Sequence, residues 1–393
     1  MYKTALRTLP AVIALAFSGS ASAAAFQLLE QNASGLGTAY AGSAAIADNA
    51  STIFFNPAGM SQLGGVQVSV GATLVGPSYK FRDGGSSGPL VGNGDGGDAG
   101  GWSALPNAYM SWQLTPSLTA GLGISTPFGL ATEYDSGWVG QFHSQKSEIR
   151  TVNINPAIAY RVNDKVALGF GVNYQKIDGE LTTSLSRLTG DDKSWGWNAG
   201  ALFTLSPAMR VGVSYRSAIK HTLEGEANNT PVRADLKLPD TFILSVWQQV
   251  SDRWEAMGDL SYTRWESLQS LDVINRANGT LLTSERFNYG NSWRIAWGAA
   301  YKASDAFKFK FGVAYDRTPV QDADRSARVP DNDRIWFSLG GQWNTGRYGK
   351  VDVGYAYLYV RDPSIDQNKN GNILHGEYDA HAHIVGVQYS VGF

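Results

Sequence analysis

Segments in which large apolar residues alternate with small or polar ones recur along most of the chain. Residues 385–393 read Val-Gly-Val-Gln-Tyr-Ser-Val-Gly-Phe, and residues 351–359 and 307–315 repeat the same two-residue period. A period of two places alternate side chains on opposite faces of a β-strand. The charged residues of these segments fall on the face that lacks the large apolar side chains. The pattern predicts an all-β protein whose strands each have one strongly apolar face.

The breaks between the segments are alternately short and long. Short turns near residues 115–116, 163–164, 206–208, 251–252 and 303–305 alternate with longer connections at 82–101, 135–147, 178–193, 223–235, 268–286, 318–331 and 362–377. A soluble sandwich has no reason to sort its loops in this way, whereas bacterial outer-membrane barrels have short turns on one rim and long loops on the other. We therefore predict a 14-stranded antiparallel transmembrane β-barrel. The candidate strands begin near Val66, Trp102, Leu118, Glu148, Val166, Ser194, Met209, Leu236, Arg253, Phe287, Ala306, Asn332, Lys350 and Tyr378.

The composition fits this architecture and excludes several others. The 393 residues include 45 glycines, many aromatic residues and no cysteine, so disulfide scaffolds, cysteine-ligated metals and thiol catalysis are excluded. A formal net charge of −2 with scattered basic residues argues against nucleic-acid binding. A mean hydropathy of −0.20 is what a chain of alternating faces gives, because the two faces offset one another.

The first residues have the features of a secretory signal. Lys3 and Arg7 supply a positive start, an apolar stretch follows, and Ala21-Ser22-Ala23 forms a cleavage site of small residues. The alternative is a membrane anchor, but the apolar stretch is shorter than the roughly 20 residues that a spanning helix needs. We predict a signal peptide at residues 1–23 and a mature protein in the outer membrane of a Gram-negative bacterium.

Residues 24–65 show no two-residue period and are rich in Gly, Ala, Ser and Asn. A barrel of fourteen strands encloses a lumen that needs filling, so we predict an N-terminal hatch at 24–65 inside a barrel at 66–393. Within the hatch, Asn56, Pro57 and Ala58 are candidate gate residues. On composition alone an ordinary turn is the favoured explanation of Asn-Pro, because proline fixes its own φ and restricts the preceding residue.

Several segments resemble the FadL family of outer-membrane transporters of long-chain fatty acids. They are residues 26–28 (FQL), 34–42 (SGLGTAYAG), 45–50 (AIADNA) and 56–60 (NPAGM), then 128–134 (FGLATEY), 196–200 (GWNAG), 238–240 (LPD), 293–296 (WRIA) and 329–336 (VPDNDRIW). Their order is kept over nearly the whole chain after the signal. The resemblance implies a fourteen-stranded barrel with a hatch, passive uptake of hydrophobic solutes, and a position for Phe26 near the ligand.

The third strand offers a candidate exit for such a solute. Pro127 removes a donor from the hydrogen-bond ladder, and Gly129 permits a bend beside Phe128. The family resemblance implies that this strand is kinked and that ligand leaves sideways through the resulting gap into the membrane. The alternative is that Pro127 simply ends the strand beneath a loop.

The residues that would hold a carboxylate are harder to assign. Arg161, Arg294 and Arg334 fall on the lumen side or within family segments, and a lumenal arginine can bind a carboxylate with two hydrogen bonds. Ion pairing with Asp259, Asp316 and Asp352 is the alternative. Gly290 and Thr183 stand where the family's cationic pocket residues are expected, so monoaromatic hydrocarbons, which a branch of the family transports, are an alternative class of substrate.

Other chemistry receives less support. Residues 366–377 match the spacing of a calcium-binding loop through Asp366, Asn368, Asn370 and Glu377, but only two of these are acidic and a turn rich in Asn and Asp explains them as well. No cofactor and no metal is expected. An outer-membrane lipid hydrolase is the less favoured alternative function, because no histidine has a candidate nucleophile at a sequence spacing that indicates a catalytic site. The expected partners are fatty acids or other hydrophobic molecules, membrane lipid and lipopolysaccharide, with a monomeric barrel.

Overall fold

The computed structural model describes residues 25–393, so the predicted signal peptide lies outside the described residues. These residues form twenty β-segments that follow one another around a single antiparallel sheet. Six neighbouring pairs of segments are the halves of interrupted strands, which leaves fourteen strands. They are β1 (Val66–Asp83), β2 (Ser103–Gln113), β3 (Leu118–Ser125 and Gly129–Glu133), β4 (Lys146–Arg161), β5 (Val166–Thr182), β6 (Arg187–Ser206), β7 (Met209–Arg216 and Ile219–Ala227), β8 (Thr230–Leu238 and Thr241–Gln249), β9 (Trp254–Thr263 and Ser270–Asn275), β10 (Leu281–Arg286 and Ser292–Lys302), β11 (Phe307–Asp316), β12 (Arg334–Asn344), β13 (Lys350–Val360 and Ser364–Lys369) and β14 (Asn372–Gly392).

The sheet closes into a barrel because its first and last strands pair. Each strand is hydrogen-bonded to its neighbours in sequence, and β1 pairs with β14 from Gln67 opposite Gly392 to Asp83 opposite Gly376. Closure leaves no free edge around the barrel as a whole. The predicted 14-stranded antiparallel β-barrel is confirmed.

The two faces of the strands differ as the alternation requires. On β14, Val385 and Val387 are about half exposed, whereas Gln388, on the opposite face of the same strand, is 1% exposed. Outward apolar side chains of this kind cover the wall of the barrel, where lipid can take the place of a protein core. None of the helices in residues 25–393 is long or apolar enough to cross a membrane.

Several predicted long connections are wrong, because the strands continue into them. β5 and β6 extend to Thr182 and Arg187 and are joined by only four residues, and β7 and β8 meet at a turn of two asparagines, Asn228 and Asn229, both with positive φ. The predicted ends mark the positions where outward apolar residues give way to charged ones. Beyond the lipid the outward face no longer needs to be apolar, and the hydrogen-bond ladder simply continues.

Residues 25–65 lie in the lumen and are mostly buried. They contain a single helical turn, α1 (Thr52–Phe55), and 3-10 turns at Leu36–Thr38 and Pro57–Gln62. Three further short 3-10 turns lie in connections, at Trp265–Ser267, Asp322–Asp324 and Gly346–Tyr348. Asn56, which is fully buried, donates to the carbonyl oxygens of Ala44 (2.8 Å) and Ala201 (3.0 Å) and accepts from the backbone of Ala58 (3.1 Å). Asn56 therefore joins two parts of the lumenal segment to the wall.

Cations of the wall anchor the lumenal segment through its carbonyl oxygens. Lys310 donates to Ser34 (2.8 Å) and pairs with Asp352 (2.7 Å), and Arg216 donates to Phe54 (2.8 Å). Glycines let the two surfaces meet closely: a Cβ on Gly37 would lie 2.8 Å from the backbone of Gly340 in β12. The lumenal segment therefore touches the barrel wall directly at this level.

Candidate functional site

The wall of the barrel is interrupted at β3. The ladder between β2 and β3 ends at Ala108 opposite Ile124, and after Thr126, Pro127 and Phe128 the second half of β3 pairs only with β4 in the described part of the chain. On that side residues 104–107 of β2 consequently lack a strand partner among residues 25–393. The interruption of β3 covers Thr126, Pro127 and Phe128, and the second half of the strand begins at Gly129.

The start of the lumenal segment fills part of this break. The backbone of Leu28 donates to Pro127 (2.9 Å), and Gly129 donates to Phe26 (2.9 Å), so residues 26–28 act as a short extra strand. The Gln31 side chain accepts from the backbone of Thr126 (3.1 Å) and donates to its carbonyl oxygen (2.8 Å). A movement of the N-terminal segment therefore has to change the backbone contacts of the break.

An aromatic cluster lies behind the break. The Phe26 ring is 4.8 Å from the Trp265 ring and 6.3 Å from the Phe128 ring, measured between centroids, and both pairs are edge to face. All three side chains are less than 5% exposed. They form a buried apolar cluster between the break and the interior of the barrel.

Above this cluster is an apolar cavity of about 730 Å³. Phe26 forms part of its floor, and its walls come from β3 to β9, the interruption of β10 and the loop before β12. Representative lining residues are Leu130, Ile149, Ile177, Leu236 and Phe287. The lining is almost entirely apolar and suits a hydrocarbon.

One arginine interrupts this apolar lining. Arg328 is 6% exposed, donates through Nη1 to Ser147 Oγ (3.0 Å), and has its Nε 3.6 Å from Glu285 Oε2. That Nε makes no hydrogen bond. Burial lowers the pKa of Arg328, but a guanidinium remains protonated in proteins. Arg328 therefore places a positive charge, which is paired with Glu285, in the wall of the cavity.

A wider cleft of about 1650 Å³ lies between the outer loops and borders the apolar cavity. Leu181, Leu188, Leu271 and Arg328 line both spaces. In the cleft, Lys369 Nζ contacts both carboxylate oxygens of Glu285, at 2.8 and 2.9 Å. The cleft leads from the loops to Arg328 without crossing the barrel wall.

A buried histidine forms part of the cleft wall. His143 is 2% exposed and its Nε2 lies 3.0 Å from the carbonyl oxygen of Asn372. Burial, with a smaller effect from the charge of Lys369, lowers the pKa of His143 to about 4. The imidazole is therefore neutral at physiological pH.

The three predicted carboxylate-binding arginines lie elsewhere. Arg161 donates to Ser61 O and Arg294 donates to Ala39 O (2.6 Å), so both hold the lumenal segment. Arg334 pairs with Asp331, a contact in which its Nε lies 2.8 Å from the carboxylate. None of the three lines the apolar cavity, whereas Arg328, which the sequence did not single out, does.

A second cavity of about 770 Å³ lies on the other side of Leu28 and has a mixed polar lining. Arg216, Arg294, Asp259 and Asp316 contribute charges to it. A hydrocarbon chain that moved down the axis from the apolar cavity would have to pass these charged groups and the packed lumenal segment.

The calcium-like pattern at 366–377 is extended rather than wound around one point. Asp366 and Glu377 lie on β13 and β14, which are joined by a tight turn at Asn370 and Gly371, both with positive φ. Asp366 pairs in register with His375. Within residues 25–393 no group of three or more His, Cys, Asp or Glu side chains is placed to hold a metal ion.

Comparison with known proteins agrees with this architecture. A sequence profile described as "Outer membrane protein transport protein (OMPP1/FadL/TodX)" matches residues 14–393. Outer membrane protein P1 of Haemophilus influenzae is 31% identical, over 90% of this chain and 89% of the relative. The long-chain fatty acid transport protein of Escherichia coli K12 is 27% identical, over 91% of this chain and 92% of its own length.

The fold is similar to that of a solved relative. The crystal structure of a Pseudomonas aeruginosa FadL homologue superposes with a TM-score of 0.88 at 23% identity, covering 94% of this chain and all of that one. The chain therefore belongs to the OMPP1/FadL/TodX family of outer-membrane transport proteins, whose members carry long-chain fatty acids and monoaromatic hydrocarbons.

Proposed function

We propose that this outer-membrane protein takes up long-chain fatty acids rather than neutral aromatic hydrocarbons. The observation that carries the proposal is the apolar cavity with Arg328 in its wall. A neutral solute gains nothing from a buried guanidinium, whereas a carboxylate can accept charge-assisted hydrogen bonds from it. The acyl chain would lie among Leu130, Ile177 and Leu236, and the carboxylate would face the outer cleft.

Chain length adds to this selectivity. Each CH₂ group transferred from water to an apolar site contributes about 0.8 kcal/mol. A long acyl chain therefore binds the closed cavity far better than it binds a water-filled pore, and a single ring gains less because it removes less apolar surface from water. The cleft shared with Arg328 would let the chain enter first and the carboxylate last.

The route out is proposed to be lateral. Phe26, Phe128 and Trp265 separate the cavity from the break in β3, and they are held there by the backbone bonds of residues 26–28 to Pro127 and Gly129. Displacing this short strand would connect the cavity with the lipid. The packed lumen below, anchored by Lys310 and Arg216, favours this route over an axial one.

Transport in this scheme is passive and needs no catalysis. The sequence has no G-x-x-x-x-G-K-[ST] phosphate-binding pattern. The buried pair of His221 and Asp192, whose atoms lie 2.9 Å apart, resembles part of a catalytic triad, but the other imidazole nitrogen faces the amide of Gln175 (3.2 Å) and not a nucleophile. Because one chain closes the whole barrel, we also propose that a monomer is the working unit.

The test is uptake by cells that lack their own transporter. Cells producing this protein should accumulate a radiolabelled long-chain fatty acid well above the empty-vector rate, and radiolabelled toluene at about that rate. Toluene uptake without fatty-acid uptake would overturn the choice of substrate. Release of free fatty acid from a lipid ester by the purified protein would instead support an enzyme.

A further inference from the structure

A belt of four lysines crosses the outer wall of the barrel on consecutive strands. Lys176, Lys193, Lys220 and Lys237 lie on β5, β6, β7 and β8, and all but Lys176, which is partly buried, are exposed. On each strand, the residues two positions before and after the lysine point to the same outward face. The belt lies toward the ends of these strands that carry the outer cleft, and therefore toward the outside of the cell.

The belt lies immediately beyond a row of aromatic side chains. Tyr174 is opposite Trp195, with ring centroids 4.8 Å apart, and the next outward pair in the same register is Lys176 opposite Lys193. Trp195 is 63% exposed. Aromatic girdles mark the level at which hydrocarbon meets polar headgroups, so the lysines lie at headgroup height.

The register places like charges directly against each other. Lys176 is opposite Lys193, and Lys220 is opposite Lys237. Between these pairs, Ser194 donates to the carbonyl oxygen of Lys220 (2.6 Å), which brings β6 and β7 together at this level. Like charges facing each other across a ladder are destabilising unless something neutralises them.

The protein supplies only part of the neutralising charge. Lys176 pairs with Asp178 (2.8 Å) and Lys220 with Asp235 (2.9 Å), all of them substantially exposed. Lys193 and Lys237 form no ion pair with any residue in the range 25–393 that the structure describes. Asp191 lies opposite Asp178 in the next outward pair and adds a more distant negative charge, so each like-charged lysine pair keeps one lysine without a direct ion pair.

We propose that this lysine belt binds the phosphate groups of the phosphorylated glycolipid of the outer leaflet. Charge complementarity favours an anion, and the headgroup height behind Trp195 favours an anion that belongs to a lipid. Lysine suits a phosphate as a compact point charge with several donors. Acyl chains of the same lipid would pack on the outward aromatic and aliphatic side chains below the belt, such as Phe170 and Trp197, which are 46% and 44% exposed.

The experiment compares lipid binding by the purified full-length protein and by a variant with K176Q, K193Q, K220Q and K237Q. Native mass spectrometry in a non-ionic detergent measures binding of bisphosphorylated lipid A, of dephosphorylated lipid A and of phosphatidylglycerol. We expect the wild-type protein to bind the bisphosphorylated form at least about tenfold more tightly than the other two. The variant should lose that preference.

A matched variant removes the same charge from the opposite rim. K165Q, R253Q, K302Q and K350Q lie beside the short turns and should leave lipid A binding unchanged. Heat-modified migration in electrophoresis shows that each barrel is folded. Unaltered lipid A binding by the belt variant would overturn the proposal, as would equal wild-type affinity for the dephosphorylated lipid or for phosphatidylglycerol.

Discussion

Replacing Arg328 with methionine is expected to weaken binding of a long-chain fatty acid about 10- to 150-fold. Hydrogen bonds to a charged partner contribute about 1.5–3 kcal/mol, and each 1.4 kcal/mol is tenfold in affinity. Arg328 is the only arginine or lysine that lines the apolar cavity among the described residues, so no other cation there can take its place. The methyl ester of the same acid has no charge to lose and should bind R328M and the wild-type protein alike.

The variant should remain folded. Glu285, which lies 3.6 Å from Arg328, keeps its two contacts with Lys369 at 2.8 and 2.9 Å and is not left as an unpaired buried charge. Ser147 loses one hydrogen-bond donor, a change that costs about 1 kcal/mol. Methionine fills most of the vacated volume with an apolar side chain that suits the lining.

Isothermal titration calorimetry of the purified protein measures both ligands directly. R328K should recover part of the affinity for the acid, because lysine restores the charge without the planar pair of donors. R286M is the matched control, since Arg286 lines the outer cleft but not the apolar cavity. An equal loss of affinity for acid and ester would mean that Arg328 shapes the cavity, and an unchanged affinity for the acid would place the carboxylate elsewhere.

Three further changes test other parts of the structure. Tryptophan at Gly129 should fill the break in β3 and reduce fatty-acid uptake at least about tenfold without preventing barrel assembly. Tryptophan at Gly101, where a Cβ meets nothing within 4 Å, should leave uptake unchanged. Normal uptake by G129W would exclude lateral exit. The pKa of His143 is about 4 when its loop is closed, against an ordinary 6.5. At a pH between these values the opened loop binds a proton that the closed loop does not. The free energy that favours the closed loop therefore falls by about 2 kcal/mol between pH 6.5 and 5. Hydrogen exchange of residues 140–145, corrected for intrinsic rates, should accelerate accordingly, and H143Q should remove the pH dependence. Alanine at Asn56 leaves buried backbone carbonyl groups without hydrogen-bond partners, which costs about 1–3 kcal/mol for each group. The protein should therefore unfold at a lower denaturant concentration. An unchanged unfolding midpoint would show that water replaces the amide.

The parts of the fold that follow local rules could be predicted from the sequence. The two-residue period and the short turns place the strands, because lipid outside and a packed lumen inside impose opposite demands on alternate residues. The break in β3 is equally local, since Pro127 removes a donor and Gly129 has no side chain. The ends of the strands could not be predicted in this way, because beyond the membrane the outward residues turn polar while pairing continues.

Arg328 was missed for a different physical reason. It lies in an irregular loop, and the contact that orients it, with Ser147, spans 181 residues of the sequence. No period or motif records such a contact. The same holds for Arg294, whose partner Ala39 is 255 residues away: the sequence places it in the lumen but does not show that it holds the lumenal segment. Only one sequence signal could have drawn attention to Arg328: it is the second arginine of a long outer loop, and it stands next to apolar residues.

The pairing of β1 with β14 has a consequence for the order in which the molecule can be built. The lumenal segment precedes β1 directly, and Gly37 and Gly340 leave no slack between it and β12. Contacts between the two ends of a chain form late, because they close the largest loop of chain. We therefore expect residues 25–65 to be surrounded by a curved, still open sheet before β14 pairs with β1. The pairing of β1 with β14 then closes the barrel and encloses residues 25–65 in the same step. A separate peptide of residues 25–65, added after the barrel has closed, should therefore fail to insert into the lumen.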